Sequence, residues 1–140
     1  MNDPIEQEIQ ARGLTAPRVT PADIEAEIAS EHYFTAADGV DGADIAALRW
    51  AKPSESLEIV PLVEDPDLSK SSVIGPLSLL TFCVLVLRNG FTVTGESACA
   101  SPENFDAELG RKIARKNAVD KVWPLLGFRL RDALHELASE

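Results

Sequence analysis

A chain of 140 residues, 45% of them hydrophobic, has the length and the apolar content for one domain with its own core. Its net charge of −10 opposes a polyanion at long range, which argues against nonspecific duplex binding, and nucleic acid is not an expected partner. The longest apolar run, at 77–87, falls far short of the roughly 20 residues that span a bilayer, and the polar start MNDPIEQEIQ does not read as a signal peptide. A cytoplasmic protein with no membrane partner is therefore expected. The charge is uneven: residues 1–70 carry fifteen acids and five bases, whereas residues 71–140 carry eight of each. A small anionic ligand held by local cations stays compatible with the second half.

In chain order, residues 1–19 hold Pro4, Gly13 and Pro17 with little periodicity and read as a flexible or loosely docked arm. Thr20-Pro21-Ala22-Asp23 is a helix start, with a hydroxyl cap, proline in the first turn and an acid at the positive end of the dipole. Ile24 and Ile28 give that helix an apolar stripe, extended by Tyr33 or Phe34, and the helix should end before Asp38-Gly39. A second short helix is expected at Asp44–Ala51, stopping before Pro53. From Pro53 to Pro76 the chain is Pro- and Ser-punctuated and reads as loop. Within it Leu57–Val63 is at most an edge strand, because Pro61 removes a ladder donor.

Leu79–Arg88 is apolar on both faces, as a strand covered from both sides would be. Asn89-Gly90 predicts a two-residue type I′ turn into a second strand, Phe91–Ala98. That turn sets Arg88 opposite Phe91, Val84 opposite Gly95 and Phe82 near Ser97. It also sends Cys83 and Cys99 to opposite faces, as free thiols of a reducing compartment. Ser101-Pro102 predicts a helix from about Pro102 to Val122 with Phe105, Leu109 and Ile113 on its apolar face. Pro124 should break or kink it. A last helix, about Leu125–Ala138, should bury Leu126, Leu130, Leu134 and Leu137. The fold class is then α+β: a small antiparallel sheet with a central hairpin, packed against C-terminal helices, plus an N-terminal helix, all in one domain spanning 1–140.

The chemistry-bearing residues are few. Arg111 and Arg115 lie one helical turn apart. They either clamp a pyrophosphate with forked hydrogen bonds or form ordinary surface pairs with acids such as Glu108. Lys112, Lys116 and Lys121 enrich the same helix and read as solvating charges. Phe82 and Phe91 either stack a purine, at about 1–3 kcal/mol per base, or pack in the core. Thr92, Thr94 and Glu96 form a polar row that reaches ribose hydroxyls or is simply the wet side of a sheet. Asn104 and Asp106 sit at the expected helix start and have caps as their alternative role. There is no HExxH, CxxC, GxSxG, P-loop or GxGxxG pattern, and His32 and His135 stand alone. No catalytic residue, metal site or cofactor is expected, and the chain does not read as an enzyme.

The run LTFCVLVLRNGFTVTGESACASPENFDAELGRKIARKNAVDKVWPLLGFRLRDAL, with TPADIEAEIASEHYFTAADG before it, resembles a family of small phage and prophage proteins. The resemblance covers about residues 19–37 and 78–134, with 40–76 as a variable insert or loop, and ESACASPENFDAELG is its most specific block. That family is associated with the first type of Thoeris anti-defence protein. The resemblance implies a sponge in the cytoplasm of an infected bacterium, which sequesters a cyclic ADP-ribose isomer without cleaving it. It further implies separate sites for cyclic di- or trinucleotides in some members, and a homodimer or hexamer. It implies helix arginines on the diphosphate, matched by Arg111 and Arg115, and an aromatic on the base, Phe82 or Phe91, with Phe82 favoured. It also implies an asparagine, Asn104 or Asn89. The alternative is an acidic protein–protein interaction module acting on a host protein; a nucleotide hydrolase is the third reading. Alanine at Arg111 or Arg115 should weaken binding while leaving thermal stability almost unchanged.

Overall fold

A strand with apolar side chains on both faces needs cover on each side and a hydrogen-bonded neighbour on each edge. In the computed structural model, which describes residues 3–14, 16–50 and 74–139, that strand is β2, Leu80–Leu87. Its neighbours are β1, Ile28–Thr35, and β3, Thr92–Ala98, in the order β1-β2-β3 with both pairings antiparallel. The helices among the described residues are α1, Pro4–Ala11; α2, Pro21–Glu27; α3, Ala36–Trp50; α4, Ile74–Leu77; and α5, Ala107–Ala138. The class is α+β, with the sheet packed against α5, and the expected Leu57–Val63 edge strand lies outside the described residues.

The N-terminal third departs from expectation in three places. The arm carries the helix α1, whose start is capped by the Asp3 carboxylate accepting from the Ile5 amide (2.9 Å). The predicted helix from Thr20 starts as expected, with a reciprocal capping box between Thr20 and Asp23. It ends at Glu27, however, and Ile28–Thr35 is a strand. The Ile24/Ile28 spacing suits either period over so short a window, and pairing with β2 decides it, from Ile28↔Leu87 to Thr35↔Thr81. The third difference follows. Asp38 does not stop a helix but starts one, because the Asp38 amide donates to Thr35 Oγ1 (3.1 Å) and the Thr35 amide donates to the Asp38 carboxylate (3.0 Å). Thr35 thus closes β1 and caps α3, and the one helix Ala36–Trp50 replaces the short one expected at Asp44–Ala51.

The hairpin joins the expected strands with a different turn. Leu87 donates to the Phe91 carbonyl (2.8 Å) and Gly90 donates to the Leu87 carbonyl (2.9 Å), with Gly90 at φ +86°. This is a three-residue loop whose last residue is left-handed, not the two-residue loop with positive φ at Asn89. Register moves by one, to Val84↔Thr94, Cys83↔Gly95 and Phe82↔Glu96. A one-residue slip exchanges faces, so Val93 and Gly95 join Cys83 and Leu85 beneath α5. Phe82, Val84 and Val86 share the outer face with Thr92, Thr94 and Glu96. Cys99 continues the ladder through its amide to the Leu79 carbonyl (3.0 Å), on the same side as Cys83 rather than the opposite one; both thiols are free.

α5 runs unbroken for 32 residues. It begins at Asp106, which caps the Leu109 amide (3.1 Å), while Ser101-Pro102 opens only a short 3₁₀ turn at Pro102–Asn104. Pro124 lies inside the helix without ending it. Pro124 and Asp120, whose carbonyl loses its partner, are both on the wet side, so water can satisfy the freed group. Buried Val122 and Leu126 hold the helix to the core on either side of the proline. The buried stripe is Gly110, Ala114, Ala118, Val122, Leu126, one position round from the expected face. Leu109 and Ile113 are exposed at 53% and 41%; further along, Leu130 and Leu134 are half-buried and Leu137 is exposed. The reason is distance. A Cβ on Gly95 would run into the Ala114 carbonyl oxygen and the Ala118 amide nitrogen, and would stand 2.9 Å from the Ala118 Cα. A backbone approach that close admits only small residues on α5.

Candidate functional site

α5 crosses the sheet with one flank along β1 and α2. The 490 Å³ cleft on that flank is walled on one side by Pro21 and Ile24 of α2 and on the other by Val119 and Trp123 of α5. Ile24 is fully buried, and Val119 and Trp123 pack half-buried against the core, so the apolar walls are fixed in place. Lys112, Arg115 and Lys116 line the α5 side, and Glu25 and Asp3 face them.

Arg115 is anchored rather than free. Its Nε donates to Glu31 of β1 (2.8 Å), and its terminal nitrogens fork onto both Glu25 oxygens (3.2 and 2.8 Å). Hydrogen bonding to Glu25 first, and to Glu31, holds the guanidinium pKa above its ordinary value against partial burial. Lys112, three residues before it, and Lys116, the next residue, are available. Lys112 touches Glu108 at 3.3 Å and Lys116 touches Asp120 at 3.4 Å, with both ammonium stems more than 70% exposed. Such solvated pairs contribute little and exchange readily for a better anion. A fixed guanidinium flanked by two exchangeable ammonium groups, beside an indole, suits an anionic aromatic ligand.

Two smaller grooves flank the start of α5. One, of about 90 Å³, holds Arg111 with Tyr33, Phe34, Thr35, Asp38 and Phe105. The other, of about 130 Å³, holds Asn104 with Phe105, Leu109, Ile113 and Cys99. The Tyr33 hydroxyl is pushed up to about 12, mainly by burial and then by its neighbour Cys83. Burial likewise raises the Cys83 thiol, so both groups stay protonated at neutral pH.

The residues singled out from the sequence are thereby distributed. Arg115 lines the large cleft. Arg111 lies in the second groove, and Phe82 is one ring removed from it, tilted against Phe34 with centroids 5.7 Å apart. Asn104 lines the third groove. Phe91 sits 53% exposed at the hairpin tip, next to Asn89, whose side chain accepts from the Phe91 amide (2.9 Å). Thr94 is exposed on the outer sheet face, away from α5. Within one chain these residues do not meet in a single cavity. Sequence reasoning missed Trp123, Ile24 and Glu25 as cleft residues, and the signal for them was present: TPAD fixes where α2 starts, and Val119-x-x-x-Trp123 continues Arg115 along one helix edge. It also missed the Glu27–Arg129 fork (2.9 and 3.0 Å), in which the Arg129 hydrogen bond holds the Glu27 carboxyl below its ordinary range.

Among the described residues, no group of histidines, cysteines and acids is arranged to hold a metal ion, and no helix is long and apolar enough to cross a membrane. No curated protein and no solved structure matches the chain. One family model does, over residues 19–134, from the capping box of α2 to the last half-buried leucine of α5. The chain belongs to the N4 Gp49/phage Sf6 gene 66 family of phage proteins.

Proposed function

We propose that this phage protein is a nucleotide-signal sponge, which binds a cyclic ADP-ribose isomer in the cleft between α2 and α5 and holds it without cleaving it. The observation that carries the reading is the cleft: about 490 Å³, inside the range of small-ligand sites, with apolar walls and a few convergent charges. Trp123 offers a base its ring, Lys112 and Lys116 with Arg115 offer a diphosphate its counter-charge, and Glu25 offers ribose hydroxyls an acceptor. The resemblance to anti-defence sponges supplies the identity of the signal. A sponge needs an organised pocket rather than a nucleophile, and the neutral Cys83 and Tyr33 suit that role.

The half-buried outer face of β2, with Phe82, Val84 and Val86 beside Phe34 at 39% exposure, supports the expected self-association. The decisive experiment mixes the protein with cyclic ADP-ribose isomers, removes free ligand, denatures by heat and analyses what is released. Intact ligand is the expected result. Altered ligand means an enzyme, and no uptake returns the protein to the acidic interaction module. Light scattering on the same sample gives the assembly; a clean monomer at micromolar concentration counts against self-association.

A further inference from the structure

α1 buries none of its residues, and Ile5 is 69% exposed. It also lies outside the family unit, which begins at residue 19. Its clearest tie to the rest of the chain is polar. Arg18 forks onto both oxygens of Glu6, at 2.9 and 2.6 Å, with both side chains little more than a fifth exposed. Arg18 precedes Val19, which packs on the core, so the fork fastens α1 to the edge of the family unit. Between them Gly13, at φ +67°, turns the chain back. This placement brings Asp3 into the lining of the large cleft, which Lys112 and Lys116 also line. Glu6 is held by Arg18 and Glu8 by Arg12, so the negative charge α1 brings to those lysines is that of its cap, Asp3.

We infer that α1 is an acidic strap over the cleft, in which Asp3 competes with an anionic ligand for Lys112 and Lys116 and the Glu6–Arg18 fork is the latch. The inference rests on the cleft being the ligand site proposed above. Binding then has two parts: the ligand's phosphates take the lysines, and α1 leaves. An eight-residue helix is marginal alone, so the released strap melts. The strap sets the affinity rather than abolishing it. Opening the latch, or removing the charge of Asp3, tightens ligand binding.

The test uses the full chain with ADP-ribose and inorganic pyrophosphate as probes. Asp3→Asn removes the charge and keeps a good helix cap, and Glu6→Gln weakens the latch. Each should tighten probe binding about three- to tenfold by titration calorimetry, a change of about 0.7–1.4 kcal/mol. In parallel, backbone amide NMR follows Ile5, Glu6 and Ile9. These resonances should move toward random-coil positions when probe is added, and also, without probe, in the Lys112→Ala/Lys116→Ala double variant. If the double variant leaves α1 in place, the strap is overturned whether or not any probe binds. If probes bind and Asp3→Asn leaves affinity unchanged, the strap falls and the ligand site stands. If α1 melts in the double variant yet no probe binds the wild type, the strap stands and the nucleotide reading falls.

Discussion

α5 meets the rest of the molecule in two different ways. Above β3 the contact is backbone on backbone: Gly95 fits under Ala114 and Ala118 because none of the three has a side chain longer than a methyl. Along β1 and α2 the contact is made by guanidinium forks, Arg115 to Glu25 and Glu31, and Arg129 to Glu27. The first contact is dry and has no room to give. The second is wet, directional and open to adjustment. The pairing teaches why the cleft lies where it does. The seam fixes the height and rotation of α5, and the forks then spread charged side chains along its other flank, where a replacement costs the fold less than one in the seam.

The largest expected effect comes from breaking the seam. Gly95→Ala puts a methyl group into the backbone of α5, and relief requires the helix to lift. We expect a loss of about 3 kcal/mol or more, measured by urea denaturation. Gly42→Ala makes the same change inside α3, where a Cβ meets nothing within 4 Å. It should be stabilising by about 0.5–1 kcal/mol, because alanine is the better helix former. Equal, small effects at the two glycines would disprove the close approach.

On the forked flank, Glu27→Gln is the strongest test. Glu27 is 9% exposed and its carboxylate takes both hydrogen bonds from Arg129. Arg129 itself is 57% exposed, so screening discounts the pair, and a loss of about 1–2 kcal/mol is expected. The pair also has a pH signature. Its carboxyl pKa is lower in the native state than the ordinary 4.5. The native state therefore binds the proton less well than the unfolded chain, and the stabilisation is complete above about pH 4.5 and drains as pH falls through the lowered native value. Wild type minus Glu27→Gln stability should follow that course, and a difference that is flat from pH 7 to pH 3 would contradict it.

Arg115→Ala comes next, at about 1 kcal/mol, and it corrects an expectation. From the sequence, Arg111 and Arg115 are equivalent and their removal leaves the fold untouched. In the structure Arg115, unlike Arg111, joins α5 to β1 and α2, so its loss leaves Glu25 and Glu31 without that cation. Melting curves on Arg115→Ala and Arg111→Ala should separate, with only the first lowered and the gap narrowing at high salt.

What was legible in the sequence follows the same division. Features written in single residues or short runs came through: the doubly apolar β2, the helix start at Thr20, the hairpin at Asn89-Gly90 and the cation-rich helix. Features set by fit between distant parts did not. β1 reads as helix because Ile24 and Ile28 suit either period, and only the empty edge of β2 settles it. The hairpin loop is one residue longer than Asn-Gly suggests, and that one residue exchanges the faces of β3. The apolar face of α5 looks like Phe105, Leu109 and Ile113 because large side chains usually mark the core, whereas here Gly95 demands small ones. For the candidate site, the helix cations were legible as a group. Which of them faces the cleft depends on the rotation of α5, and that rotation is fixed by the seam.

The smallest effect on stability should come from the lysines, and it is there that function and fold separate most cleanly. Lys112 and Lys116 hold only long, exposed contacts to acids on their own helix. Lys112→Ala and Lys116→Ala should each change stability by no more than about 0.5 kcal/mol, since alanine is as good a helix former and little is lost at the surface. Binding should respond very differently. Each ammonium that meets a phosphate in the cleft contributes about 1.5–3 kcal/mol, so each variant should lose about ten- to a hundredfold in affinity for a cyclic ADP-ribose isomer. Lys121, on the same helix but not among the residues lining the cleft, is the internal control and should leave binding unchanged as alanine. Arg115→Ala is a poorer probe of the site, because it alters the fold and the cleft together. Titration and melting on the three lysine variants therefore decide the matter. Weakened binding at Lys112 and Lys116 alone, with all three melting like the wild type, assigns the ligand to this cleft. Unchanged binding at both moves it to another groove, and Arg111→Ala then tests the one beside Phe105.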